Sequence, residues 1–439
     1  MKKLVLLLTV VLLVASNSHA GVVQTFGIGA NATAQGEAVV AHANDPFAVY
    51  YNPAGLTLIK KPMVTTGVMI YDARVEITNF RLNSSAAPGA NFNTGPSDFE
   101  SDCDPIYNPN IGFAMPINDK WGFGIAVYAP YGLHLEWDKD YTKNPGALYA
   151  SESKYARKVL TPAFGYKVTD KLAVGFGISL GQSISDAGKT YPPNPAMGPS
   201  PTYLKLESED DFNWSFNVGV MYRPIDKVSL GVTYRSRAEG DFDGDVLRNE
   251  VKISTVTMDY DHPECVQAGV RYFASKDLSV EFDMTWTRWG ILDEQVEKTP
   301  IAPGGGFHHD RNWNDEIQYK IGLEWKITDA FALRTGYTYD PTPVPNSTFD
   351  LGWPDTDRNV YNIGFGWDIT ERWRLDGVIQ HVRSTSVRQI NGDSGELNHV
   401  YGPIVSGGTG GAIPADTVAV AFGDEGILWG YGMNLSYTF

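Results

Sequence analysis

The chain has 439 residues with 51 acidic against 35 basic side chains, a formal charge of −16, and such acidity argues against a nucleic-acid partner. Hydrophobic residues make up 43%, aromatics 12%, and there are 45 glycines but only two cysteines. Cys103 and Cys265 fit no metal-binding spacing; in an exported protein they either pair or stay as thiols. Neither a metal nor a cofactor is expected.

Lys2 and Lys3 precede an apolar run, Leu4 to Ala15, and Ser18-His19-Ala20 supplies small residues where cleavage requires them. Residues 1–20 therefore read as a secretory signal peptide, too short for a membrane span. Its removal takes two lysines, so −16 − 2 gives −18 for the mature chain. No later stretch reaches the roughly 18 apolar residues that a spanning helix needs.

Residues 21–60 show no strand alternation. Ala38–Ala43 is predicted as a short helix, stopped by Asn44-Asp45-Pro46, and Asn52-Pro53-Ala54-Gly55 reads as a turn. Phe47, Val49, Tyr50, Tyr51 and Leu56 are too apolar for a disordered arm. They suit a segment folded into a wide lumen.

From about Met63 the pattern changes to period two. Six short polar turns recur, at Asn118-Asp119-Lys120, Thr169-Asp170-Lys171, Ile225-Asp226-Lys227, Ser275-Lys276-Asp277, Thr328-Asp329 and Thr370-Glu371-Arg372. Alternating runs flank them, such as Leu172, Val174, Phe176, Ile178, Leu180 and Tyr361, Ile363, Phe365, Trp367, Ile369. Longer stretches rich in Gly, Pro, Asn and Asp separate the hairpins, near 79–106, 133–151, 187–210, 241–258, 293–313, 341–358 and 391–424. Six short turns and seven long loops make thirteen connections, hence fourteen strands. Short turns alternating with long loops are the habit of outer-membrane barrels. Asn213, Asn217, Glu281, Asp283, Arg334, Asp368, Arg374 and Asp376 interrupt only the opposite face, and charges on a lipid face are costly, so these should point inward. The last stretch, Ile427 to Phe439, carries large apolar residues at every second position (Ile427, Trp429, Tyr431, Met433, Leu435, Tyr437, Phe439), with mainly small or polar residues between. The expected fold is all-β: a 14-stranded antiparallel transmembrane β-barrel over 61–439, with an N-terminal hatch over 21–60 inside the lumen.

The run NDPFAVYYNPAGL (Asn44 to Leu56) resembles the hatch of the FadL family of outer-membrane long-chain fatty acid and hydrocarbon transporters. PINDKWGFGIAVYAPYGLHLEW (Pro116 to Trp137), YRS (Tyr234 to Ser236), HPE (His262 to Glu264), DPTPVP (Asp340 to Pro345) and the final YTF extend the resemblance over nearly the whole mature chain. The resemblance implies a monomer in the bacterial outer membrane that takes up hydrophobic small molecules passively. Long-chain fatty acids or hydrocarbons would be its cargo, and outer-membrane lipid and lipopolysaccharide its surroundings. It also implies lateral release at a kinked third strand. Ala129-Pro130-Tyr131-Gly132 fits that kink, because Pro lacks a ladder donor and Gly weakens pairing; otherwise Pro130 merely begins an outer loop. Asn52, Pro53, Ala54 and Gly55 match the hatch motif. The Pro-rich stretch Thr190 to Leu204 matches an outer landing groove. The family's ligand carboxylate is met by basic residues; Lys189 falls at one such position and Asn314 at the other, a departure that leaves room for an uncharged cargo.

Other motifs are weaker. Asp241, Asp243 and Asp245 lack the Gly and distal Glu of an EF-hand loop. His308-His309-Asp310 reads as a solvated loop tip, and Ser406 to Gly411 has no following helix to cradle phosphate. No Ser-His context suggests a lipid enzyme, so no enzymatic activity is expected. The alternative to transport is a barrel acting mainly as a surface adhesin or antigen.

Overall fold

The computed structural model describes residues 24–84, 96–193, 199–405 and 418–439; the signal peptide and Ser406–Gly411 lie outside them. Fourteen strands form one closed ring: β1 (Met63–Ser84), β2 (Ile106–Pro116), β3 (Trp121–Glu136), β4 (Glu152–Lys167), β5 (Leu172–Tyr191), β6 (Thr202–Ile225), β7 (Val228–Arg235), β8 (Cys265–Phe273), β9 (Leu278–Thr287), β10 (Glu316–Thr328), β11 (Phe331–Asp340), β12 (Arg358–Asp368), β13 (Trp373–Ser384) and β14 (Val418–Thr438). Each pairs antiparallel with its sequence neighbours, and β1 closes the ring on β14 from Met63↔Thr438 to Ser84↔Val418. Closure leaves no sheet edge for lipid to meet, which is why strands can span a bilayer at all. Among the described residues no helix is long and apolar enough to cross a membrane.

The turns form where their chemistry stands in the sequence. Asn118 Oδ1 accepts from the backbone N–H of Lys120 and Trp121 at 2.9 and 3.0 Å, and Thr169, Ser275 and Thr370 hydroxyls do the same for the turns that follow them. Outward aromatics flank these turns, with Trp121 on Tyr166 at 4.6 Å and Trp373 on Tyr437 at 4.8 Å. They form the aromatic girdle of one interface.

At the opposite end several expected loops are strands. β1, β5, β6 and β14 run on past the membrane, and hairpin strands Asp241–Arg248 and Val251–Asp259 extend the wall upward from β6. Strands Glu294–Lys298 and Gly306–Asp310 add to them. His308-His309 is thus no solvated tip: His309 is held between Glu297 (3.7 Å) and Glu396 (3.4 Å), while His308 stays exposed beside Glu294. Burial disfavours a charged His309, but the two carboxylates outweigh it and raise its pKa to about 9. Glu396 lies on the outer-loop helix Gly395–Val405. Trp137, Trp289, Trp313, Trp353, Phe349 and Tyr401 pack the outer loops into one apolar core. Both cysteines are free thiols.

The N-terminal segment lies within the ring. It comprises α1 (Ala30–Ala34), α2 (Ala48–Tyr51) and a 3₁₀ turn, Pro53–Leu58. The helix expected at Ala38–Ala43 is absent, because side chains of the wall take over its backbone bonds. Asp283 accepts from Val40 N (3.1 Å), Glu281 from Ala41 N (2.6 Å), and Ser229 donates to Ala41 O (2.7 Å). Further bonds reach Thr338, Gln380 and Asn434 on the far wall. The inward polar residues expected from alternation are inward here. Glu281, Asp283 and Asn217 bind this segment, whereas Arg334 pairs with Asp376 and Arg374 with Asp368.

Candidate functional site

The β2–β3 ladder stops early. It runs from Pro116↔Gly122 to Ile111↔Val127, and the rest of β2, Ile106–Asn110, pairs only with β1. On its other side β3 is bulged. Tyr128 faces Val159 and Tyr131 faces Arg157, so Ala129 and Pro130 together stand opposite Lys158 alone. An extra residue in one strand bends it, and Pro130 brings no N–H to the ladder. Other groups hold the freed carbonyls. Thr25 N donates to Pro130 O at 3.1 Å, Thr25 Oγ1 reaches both Ala129 O and Pro130 O at 3.2 Å, and Asn108 Nδ2 reaches Ala129 O at 3.2 Å. Gln24 bridges Tyr131. Residues from the N-terminal segment therefore occupy the edge that β2 leaves. Gly132 has already rejoined β4, opposite Ala156. Pro109, on the β2 bank of the gap, also lacks a donor; sequence reading passed it over, although a Pro in an edge strand is an available signal.

Asn52 joins the segment to the wall. Its Nδ2 donates to Val40 O (2.8 Å) and to Val220 O of β6 (3.1 Å), and its Oδ1 accepts from Ala54 N (3.1 Å). It is fully buried. The wall comes close enough for this only because Gly219 carries no side chain; a Cβ there would run into Asn52 Oδ1. Pro53 opens the 3₁₀ turn, Ala54 packs against Ala173 and Met221, and Gly55 lies against Ala43 O.

Behind the bulge two arginines share a small cavity of about 30 Å³ with Tyr50, Tyr128 and Tyr131. Arg157 is 4% exposed; its Nε donates to Asn213 Oδ1 (2.8 Å) and its Nη2 to Ser215 Oγ (3.3 Å). Arg235 donates to Tyr50 O (3.3 Å), with its guanidinium 4.4 Å from the Tyr50 ring. Among the described residues no carboxylate forms an ion pair with either. His262 packs on Tyr131 at 4.8 Å and hydrogen-bonds the Tyr155 hydroxyl. Burial and then Arg157 push its pKa well down, so it is neutral. Alternation gave access to Arg157, which shares the parity of Tyr155 and Val159, and Arg235 stands within YRS. Sequence reading assigned a role to neither, because the lack of a paired carboxylate is a tertiary property.

Lys189 and Asn314 are not brought together. Lys189 lies over the Phe307 ring at 4.6 Å and the Tyr191 ring at 5.4 Å. Asn314 is exposed, tied through its backbone to Pro343 O. Of the Pro-rich stretch, Thr190 and Tyr191 pair with Tyr203 and Thr202 as ordinary ladder, and residues 194–198 lie outside the described ones. Asp241, Asp243 and Asp245 sit on a strand, with Asp245 beside Lys252. Among the described residues no set of three or more His, Cys, Asp or Glu is arranged to hold a metal.

At the end that carries the short turns, a cavity of about 230 Å³ lies below the N-terminal segment. Its lining includes Glu324, Lys326, Asp368, Arg334, Arg374 and Asp376. It is a polar space.

A closed ring of fourteen strands, oily outside and polar inside, with residues 24–60 packed against its inner wall, defines an integral outer-membrane barrel. Residues 11–439 match the family described as outer membrane protein transport protein (OMPP1/FadL/TodX), and the chain belongs to that family. It is 23% identical over 438 residues to the long-chain fatty acid transport protein of Escherichia coli O6:H1, covering 91% of this chain and 90% of that protein. To outer membrane protein P1 of Haemophilus influenzae it is 22% identical over 413 residues, covering 84% and 88%. The fold is shared with a Pseudomonas aeruginosa FadL homologue (TM-score 0.74, 18% identity, 97% of this chain and 100% of that one). It is also shared with the P. putida toluene transporter TodX (TM-score 0.66, 15% identity, 94% and 99%). These relatives are named as transport or outer-membrane proteins, not as enzymes.

Proposed function

We propose that this barrel takes up hydrophobic compounds passively, and that cargo leaves sideways between β2 and β3, above the last pair Ile111↔Val127. One observation carries the reading: the wall ladder is interrupted there, and among the described residues Gln24, Thr25 and the Asn108 side chain cover the break. Residues 21–60 act as the hatch in this scheme. An apolar solute gains nothing from a polar passage, and the cavity beneath the hatch is lined by charge, so continuing downward is unfavourable. Leaving through the wall puts the solute directly into hydrocarbon.

The cargo we infer is an amphiphile with a carboxylate, a long-chain fatty acid. Arg157 is a buried cation and Arg235 a half-buried one, with tyrosines around them, and charge-assisted bonds to a carboxylate are among the stronger kinds. The space is only about 30 Å³, so the head group must displace Gln24 and Thr25 from β3. Binding and opening are then one event: the ligand competes for the place of the segment that seals the gap. Asn314, where the family pattern expects a basic residue, favours a second reading in which uncharged hydrocarbons also pass.

The test is uptake of a labelled long-chain fatty acid by cells carrying Pro130→Val with Gly132→Val, at equal surface levels. Restored ladder bonds and β-branched side chains favour a continuous strand. Uptake should fall steeply while the barrel assembles normally. Undiminished uptake would refute lateral release and favour a passage beside a moving hatch, and absence of uptake in the unaltered protein would favour the adhesin alternative.

A further inference from the structure

The outward face of β4 reads Glu152, Lys154, Ala156, Lys158, then Leu160, Pro162, Phe164 and Tyr166. Phe164 is 45% exposed and meets Phe123 of β3 at 5.2 Å on the lipid side, which fixes the parity of the whole face. The edge of the hydrocarbon therefore crosses this strand between Lys158 and Leu160. That height is also the height of the break, since Lys158 is the one residue opposite Ala129 and Pro130. The preceding residue, Arg157, faces inward and is buried in the cavity behind the bulge. Consecutive residues of one strand thus put one cation on the luminal side of the gap and another on its lipid side. Lys154, four positions away on the same face, stands opposite Asp186 of β5, so Lys158 is the outward cation nearest the break.

On the reading of lateral release given above, we propose that Lys158 is an exit-side anion site that receives the carboxylate of a departing amphiphile from Arg157. A carboxylate cannot cross hydrocarbon cheaply, but at this height it does not need to. The head passes from Arg157 to Lys158 at the level of the lipid head groups, and the tail swings through the gap into the bilayer beneath. The two residue types suit the two tasks. The planar guanidinium of Arg157 holds a carboxylate in a fixed fork, whereas the lysine ammonium is a mobile point charge that can take it up and release it. Adjacent strands lie about 4.8 Å apart, so the lysine side chain reaches across β3 to the gap. The same chemistry would attract the phosphate of an outer-leaflet lipid, and the experiment separates the two sources.

Initial uptake is measured for labelled oleate and for a labelled neutral alkylbenzene, in cells with equal surface levels of the unaltered chain, Lys158→Glu, Lys158→Arg, or the wall-closing pair Pro130→Val with Gly132→Val. The same comparison is made in vesicles of uncharged galactolipid, which offer no phosphate. Lys158→Glu should slow oleate about fivefold, the worth of a partly exposed ion pair, and leave the neutral compound within about twofold. Lys158→Arg should retain oleate uptake, and the difference should persist in the galactolipid vesicles. An equal effect on both compounds, no effect on either, or a difference that vanishes without lipid phosphate would overturn the proposal. The wall-closing pair should slow both compounds. If it slows neither, lateral release itself falls and this proposal with it; if it slows both while Lys158→Glu does not discriminate, only the exit site falls.

Discussion

Asn52→Ala is the sharpest test of what holds the N-terminal segment. The change removes three hydrogen bonds at once: to Val40 O (2.8 Å), to Val220 O (3.1 Å) and from Ala54 N (3.1 Å). Each is worth about 1 kcal/mol net, so the total is about 3 kcal/mol. Since about 1.4 kcal/mol is a factor of ten, local opening of the segment should become about a hundredfold more frequent. The barrel should not notice. Val220 also stands in the β6 ladder, opposite Val232 of β7, and the ring closes through β1 and β14 far from Asn52. Asn52→Asp gives an internal control, since Asp can still accept from Ala54 N but cannot donate to either carbonyl. Amide hydrogen exchange in the purified barrel reads the answer. Protection at Gly55 and Ala54 should fall by about two decades in Asn52→Ala and at least as far in Asn52→Asp, whose carboxylate would face two carbonyl oxygens, with strand amides unchanged. Unaltered protection of residues 40–58 would mean that the bonds of Glu281, Asp283 and Ser229 suffice, and the assignment to Asn52 would be wrong.

Arg157→Gln and Arg235→Gln should each weaken binding of a long-chain fatty acid about tenfold or more, the loss of one charge-assisted bond, while a neutral hydrocarbon binds as before; titration in detergent checks both. Pro109→Val should supply the missing donor on the β2 bank of the gap and reduce uptake on its own, by less than the Pro130 and Gly132 pair, in the same cell assay. His309 sets a pH dependence in the outer loops. Its pKa is raised above 6.5 to about 9, so its contribution is fully present below pH 6.5 and is lost as pH rises through about 9. Protease nicking of the strands at 294–310 should increase over that range, and His309→Gln should be nicked readily at every pH.

Much of this molecule stands in the sequence because a membrane barrel repeats a local rule. Solvent on one face and lipid on the other impose a period of two, and Leu172 to Leu180 or Ile427 to Phe439 can be read without any partner strand. The side chains of Asn118, Thr169, Ser275 and Thr370 make the turns from bonds two or three residues away, which is why the strand count was legible. The N-terminal segment was legible only as apolar and non-strand. Its conformation was not: Ala38–Ala43 has helical composition, yet Asp283 and Glu281, some 240 residues on, claim its backbone. The same limit applies to the candidate site. Pro130 announces a missing donor, but that the gap opens toward β2, that Thr25 covers it, and that Arg157 and Arg235 stand beside it without a paired carboxylate all depend on which strands become neighbours. Local chemistry fixes the period and the turns; the closing of the ring decides which groups are left to bind something else.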